Sequence, residues 1–308
     1  MTLKTIDLLC LGNPCADVVV RCDRVPAWDD KCVGSAVGTY AGGTESNVAC
    51  AASRLGWRTA IFGDVGDDAH AGFLGGAFAA DNVSTRWLRQ RRQTASASTL
   101  LMISPEGERA LVWVPMPPAA RSGEELDLAL ACSRIAYTMP YDVEELARLQ
   151  AAAQRHGAQL AIDVEREAAR RPDLLLRLLN HCDVAFMNES GYIAAMGQVP
   201  DDAGLSRLFD AGRAHTLVVT LGERGAIAID RQGVASASAF AVQVIDATGA
   251  GDSFNAAFLV ARERGTSLSL ALRFACAAAS RTVGAVGARS ALPRREDVAA
   301  VVASGTIR

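Results

Sequence analysis

A chain of 308 residues with 50% hydrophobic and 21% charged residues can bury one sizeable core, or a large core with a small appendage. Its 31 Lys and Arg against 34 Asp and Glu give a formal charge of −3 with no long basic run, which argues against a nucleic-acid partner. No apolar stretch reaches bilayer length, so no membrane span is expected; the eight cysteines form no Cys-x-x-Cys pair and read as reduced core thiols of a cytoplasmic protein.

Ile6 to Leu11 reads as a buried first strand and is too brief for a secretory signal. A turn, Gly12-Asn-Pro-Cys-Ala-Asp17, leads into the β-rich run Val18–Arg21, and a further strand is expected over Lys31–Val37. Asp17 taken alone is an ordinary solvated turn carboxylate. Next, Tyr40-Ala-Gly-Gly-Thr-Glu-Ser-Asn-Val precedes a small-residue helix ending at Gly56, with Asn47 near its start as a cap. Thr59–Phe62 is another strand, and Asp68 caps the helix after it. Thr99–Ser104 and Arg109–Val114, joined by Pro105-Glu-Gly-Glu108, predict a hairpin. With the earlier β-rich runs it makes a small sheet over about 14–37 and 96–115, whose edges and Trp113 need covering.

From Leu126 the chain alternates strand and helix, which calls for a parallel sheet with helices on both faces. Ligands gather beyond the carboxyl ends of such strands, where Asp163, Asn188 and Thr220 fall. Thr220-Leu-Gly-Glu-Arg-Gly225 reads as a strand-to-strand turn, and Ala275-Cys-Ala-Ala-Ala279 as a tightly packed helix. Between them lies Val244-Ile-Asp-Ala-Thr-Gly-Ala-Gly-Asp-Ser-Phe-Asn-Ala-Ala-Phe-Leu259. Phe254, Ala257, Phe258 and Ala261 recur at helical spacing, so a helix begins close to Gly249 and stops at Gly265. Gly249, Ala250 and Gly251 leave its first amides open to an anion at the positive end of the dipole. Asp252 sets a carboxylate beside them, able to act as base on a hydroxyl; its charge is favoured there, so a low pKa is expected. A dinucleotide-binding turn would need a third glycine where Asn255 stands and an acid about 20 positions on, near Arg273.

Asp246-Ala-Thr-Gly-Ala-Gly-Asp252 resembles the C-terminal signature of the ribokinase-like (pfkB-type) carbohydrate kinases. Gly42-Gly43 with Asn47 and the Ala-rich helix resembles their N-terminal signature, and Gly12 with Asp17 matches the end of their first strand. The resemblance covers nearly the whole chain, residues 1–308. It implies a three-layer α/β/α doubly wound, mostly parallel sheet with a small β lid, and transfer of the γ-phosphoryl of ATP to a sugar hydroxyl with Mg2+. By carry-over, Asp252 is the base and Gly249, Ala250 and Gly251 form the anion hole, while Asp17, Gly42, Gly43 and Asn47 hold the acceptor. Asn188, Thr220, Gly222, Gly225 and the segment around Cys276 lie along the nucleotide. The segment Gly284–Ser290, with Ala285 and Ser290 in it, resembles one whose backbone, with that of Asp246 and Thr248, encloses a monovalent cation (K+), and the lid implies a homodimer. One position departs: family members usually show Asn-x-x-Glu where this chain reads Asn188-Glu-Ser-Gly191, so Glu189 is expected to serve magnesium through water if the loop turns it inward. The alternatives are a nucleoside kinase of the same fold and a catalytically weak sugar-binding regulatory protein.

Overall fold

The computed structural model describes residues 3–304, so the expected bounds at 1 and 308 lie outside the described residues. The strands are β1 (Ile6–Leu11), β2 (Cys15–Cys22), β3 (Gly34–Gly42), β4 (Thr59–Val65), β5 (Ser84–Gln90), β6 (Ala97–Ile103), β7 (Arg109–Val114), β8 (Ser133–Thr138), β9 (Gln159–Val164), β10 (Val184–Asn188), β11 (Thr216–Thr220), β12 (Ala226–Asp230) and β13 (Gly233–Ala237). The helices are α1 (Thr44–Arg54), α2 (Ala69–Ala80), α3 (Gly123–Ala131), α4 (Val143–Arg155), α5 (Arg166–Ala169), α6 (Pro172–Leu179), α7 (Glu189–Met196), α8 (Asp202–Ala211), α9 (Ala250–Glu263), α10 (Leu268–Thr282) and α11 (Arg295–Ser304).

Nine strands form one sheet in the order β13-β12-β11-β10-β9-β8-β1-β4-β5. Pairing is parallel from β11 through to β5, while β12 and β13 add an antiparallel edge. The period of two along each strand splits the core between the faces. Leu8, Cys10, Phe186 and Val218 pack with Val48, Phe258, Leu272 and Val301 of α1, α9, α10 and α11. Leu9, Ala185, Met187 and Val219 pack with Leu130, Leu146, Leu178 and Leu205 of α3, α4, α6 and α8. This is the expected three-layer architecture. Phe258 meets Phe186 edge-on at 5.6 Å and stacks on Phe254 at 6.4 Å, seating α9 against β10; aromatic pairs of this kind add about 0.5–1.5 kcal/mol beyond burial.

The second sheet runs β3-β2-β6-β7. The hairpin of β6 and β7 forms as expected, closed by Gly107 at φ 85° with Ser104 N donating to Glu108 O at 2.9 Å. The strand expected over Lys31–Val37 instead runs Gly34–Gly42. Val37 is absorbed as a bulge, with Val19 opposite Gly38 and Val20 opposite Ala36, so the strand continues and delivers Gly43 to the start of α1. β5, with Arg86 and Arg89 inside it, has no clear alternation and escapes a sequence reading; it pairs in parallel with β4 at the sheet edge.

Candidate active site

Helix α9 begins where its small residues predict. Gly249 caps it at φ 80°, and a Cβ there would lie 2.6 Å from Ala288 O, so only glycine fits. Ser253 N is spent on Gly249 O, and Ala250 N turns to Ala247 O at 3.2 Å. That takes Ala250 out of the expected anion hole and leaves the amides of Gly249, Gly251 and Asp252 for it, with open space around Gly251. The half-buried Asp252 carboxylate sits beside them. Its pKa is raised from 3.8 to about 6, against the low value expected at a helix start: burial outweighs the Asn47 hydrogen bond and the Arg289 charge, and Asp17 pushes the same way as burial.

On the acceptor side, α1 crosses α9 and brings Asn47 Nδ2 to Asp252 Oδ2 at 2.7 Å. Asn47 Oδ1 accepts from Arg289 Nε at 2.8 Å, and Arg289 Nη2 donates to Gly42 O at 2.8 Å. Arginine is a donor only, so it fixes the Asn47 amide with its oxygen toward Arg289 and its NH2 toward Asp252. Both ends of this amide, expected on sugar hydroxyls, therefore have protein partners. The glycines also have protein reasons: a Cβ on Gly42 would fall 2.1 Å from Asp17 Oδ2, and one on Gly43, at φ 92°, would press on Asn13 O and Cys15 N. Gly42 thereby lets the Asp17 carboxylate cross the backbone beside this cluster. Burial raises the Asp17 pKa despite hydrogen bonds from Thr99 and Cys15.

Behind Asp252 lie Glu45, which the sequence reading left unassigned, and Asp163, which it placed at a strand end without a chemical role. Buried Glu45 accepts from Met139 N at 3.1 Å, and its carboxyl fills the space a Cβ on Gly12 would take. Burial lifts its pKa to about 7, with Asp252 and Glu165 adding repulsion. Asp163, at the end of β9, is lifted to about 7 by burial and then by Asp252; its Oδ2 lies 3.2 Å from Asn255 Nδ2, which also donates to Tyr137 OH at 3.0 Å. Asn255 shares a helix face with Asp252 at i, i+3, which was legible in the sequence.

On the far side, Asn188 and Thr220 lie opposite each other at the ends of β10 and β11. Asn188 Oδ1 is occupied as the cap of α7, accepting from Gly191 N and Ser190 Oγ at 2.8 Å. Glu189 starts α7 and is ion-paired with Arg224 on the Thr220–Gly225 turn. A Cβ on Gly191 would face Asn188 Oδ1 at 3.4 Å and the α5 backbone at 3.7 Å, contacts a side chain can make. Gly222, at φ 60°, and Gly225, at φ 103°, shape the turn, and a Cβ on Gly225 would fall 2.0 Å from Ala237 O. Cys276 Sγ reaches the same carbonyl at 3.9 Å; it is buried and its pKa is pushed up to about 12.

Asp246 and Thr248 come together with the 285–290 segment, because Gly287 N donates to Asp246 Oδ2 at 2.9 Å and Ser290 N to Gly287 O at 3.4 Å. A residue missed by the sequence reading, Arg109 of β7, joins them through Nη2 to Asp246 Oδ1 at 2.7 Å. The Asp246 pKa lies below the ordinary value: burial acts to raise it, but hydrogen bonds from Gly287 and Thr248 and the Arg109 charge prevail. Among the described residues no group of three or more His, Cys, Asp or Glu is placed to cage a metal, and no helix is long and apolar enough to cross a membrane.

Residues 5–295 match the family described as pfkB family carbohydrate kinase. The chain is 28% identical over 302 residues to a ribokinase of Bacillus subtilis, covering 94% of this chain and 97% of the relative. It is 28% identical over 285 residues to an Escherichia coli fructokinase, covering 83% and 90%. The solved structure of Arabidopsis thaliana ribokinase complexed with ribose and ATP superposes with a TM-score of 0.86 at 25% identity, covering 96% of this chain and 98% of that one.

Proposed function

The chain belongs to the pfkB family of carbohydrate kinases and is a carbohydrate kinase; from that premise we propose that it moves the γ-phosphoryl of ATP to a hydroxyl of a sugar or sugar-like acceptor, with Asp252 as the base. The observation that carries this reading is the 2.7 Å bond from Asn47 Nδ2 to Asp252 Oδ2. It joins the helices of the two signature segments and leaves the other Asp252 oxygen to accept the acceptor's proton. As the acceptor oxygen attacks phosphorus and the bond to the ADP oxygen breaks, that proton passes to Asp252. The amides of Gly251 and Asp252 then face the transferring oxygens, and such positioned donors supply much of the stabilisation in phosphoryl transfer. Asp17 takes acceptor hydroxyls, and Thr220, Gly222 and Gly225 line the nucleotide. Bound with ATP, magnesium would neutralise phosphate charge while keeping most of its waters, which suits a site without a carboxylate cage; Asp163 and Glu165, at the end of β9, are the acids this chain offers it.

A second copy would cover the lid. Its edge strand β7 exposes Leu111, Val112, Trp113 and Val114, each 50% or more open.

The test is acceptor-dependent ADP release across a panel of sugars and nucleosides, repeated with Asp252→Asn. The variant should lose at least about 10²-fold in kcat, the range of a general base, with acceptor affinity little changed. Near-native kcat would remove Asp252 from the chemistry; tight sugar binding without turnover in the native chain would favour a regulatory protein.

A further inference from the structure

The cation set inferred by resemblance, Asp246, Thr248, Ala285 and Ser290, contains one charged group, and its carboxylate already has four donors and an arginine partner. Asp246 Oδ1 accepts from Thr248 N at 3.0 Å, Thr248 Oγ1 at 2.7 Å and Arg109 Nη2 at 2.7 Å, while Oδ2 accepts from Gly287 N at 2.9 Å. Three of these four donors converge on Oδ1, which offers about two acceptor positions, and one is on Oδ2. Thr248 Oγ1 in turn accepts from Arg109 Nη1 at 3.1 Å. The guanidinium thus spans the side-chain oxygens of both Asp246 and Thr248 on this turn. One acid faces one cation, so the pair is already neutral and an added potassium ion would bring a positive charge that no second acid of this set offsets. Arg109 belongs to the lid hairpin, and the lid touches the same loop again through Tyr40, whose ring fills the space beside Gly287 at φ 91°.

We infer that Arg109 is a tethered cation that replaces the monovalent ion beneath the anion-binding turn, binding the lid to the Asp246–Gly249 approach to α9. Its effect on turnover rests on the kinase reading above; its effect on ion binding does not. Arg109 is a positioning residue, acting on the amides through Asp246 and Thr248.

The native chain, Arg109→Met and Arg109→Lys are compared in potassium chloride and in choline chloride of equal ionic strength. Thermal midpoints are read without substrate, and ADP release with ATP, magnesium and the best acceptor. The native midpoint and turnover should be the same in both salts. Arg109→Met should turn over at least about tenfold more slowly in choline, a 1.4 kcal/mol effect, and potassium should raise both its midpoint and its rate. Arg109→Lys, which keeps the charge, should stay indifferent to potassium. Potassium-dependent midpoint or turnover in the native chain would overturn the inference, as would an Arg109→Met that potassium fails to stabilise. If no acceptor is turned over, the kinase reading fails and the midpoints still decide this one.

Discussion

Replacing Asn47 by Asp changes one NH2 group to an oxygen and tests the link between α1 and the base. The new oxygen would stand 2.7 Å from Asp252 Oδ2. Two unit charges at that distance repel by about 6 kcal/mol at an effective dielectric of ~20. Arg289, 2.8 Å from the opposite end of residue 47, opposes part of this. Even if three quarters is cancelled, roughly 1.4 kcal/mol remains, which moves a pKa by about one unit. In the native chain kcat/KM should fall as pH drops below about 6, where Asp252 takes up a proton. In Asn47→Asp that acid limb should move up by at least about one pH unit, as in carboxylate pairs that share a proton. The assay is kcat/KM against pH with the best acceptor of the panel, alongside circular dichroism and the thermal midpoint. A variant that folds and whose profile superposes on the native one would refute the proposed coupling of residue 47 to the base.

Buried Glu45, lifted from 4.5 to about 7, has its folded pKa above its unfolded one, so the stability it contributes is present below about 4.5 and lost as pH rises through 7; this amounts to about 3 kcal/mol. Glu45→Gln keeps an acceptor for Met139 N and should therefore unfold at higher urea than the native chain near pH 8 but not near pH 4; equal midpoints at both would sink this account. Because Glu189 is paired with Arg224, Glu189→Gln should leave the magnesium dependence of turnover unchanged, whereas a raised magnesium requirement would return Glu189 to the metal's surroundings. Sedimentation should report a dimer that Trp113→Asp in the exposed β7 edge dissociates, and a native monomer would contradict the second copy.

What the sequence made legible was local. The start of α9, the strand ends at Asp163, Asn188 and Thr220, and the cap at Asp68 follow from spacing and small residues within a dozen positions. The residues that escaped it act across the chain: Arg289 meets Asn47 242 positions away, and Arg109 meets Asp246 137 away. No periodicity announces such a partner, and a lone arginine in a strand or turn reads as a solvated charge. The same limit affected Asp252, where the favourable helix end is local and the burial that outweighs it is assembled from α1 and the sheet. The resemblance gives Gly42 and Gly43 to the acceptor, but the groups that need the space, the Asp17 carboxylate and the β1–β2 turn, are visible only in three dimensions.

The lid is not a cassette. Its strands β2 and β6 are paired in parallel, yet β4, α2 and β5 of the main body are threaded through the sequence between them. Four connections cross from one sheet to the other, and Asp64, at the end of β4, gathers Arg89, Arg91 and Arg121 where two of those crossings leave and return. Such a weave cannot be cut out or transplanted as one contiguous segment. Altering acceptor choice by exchange with a relative would therefore require both halves of the lid and their shared seam at Asp64 to travel together.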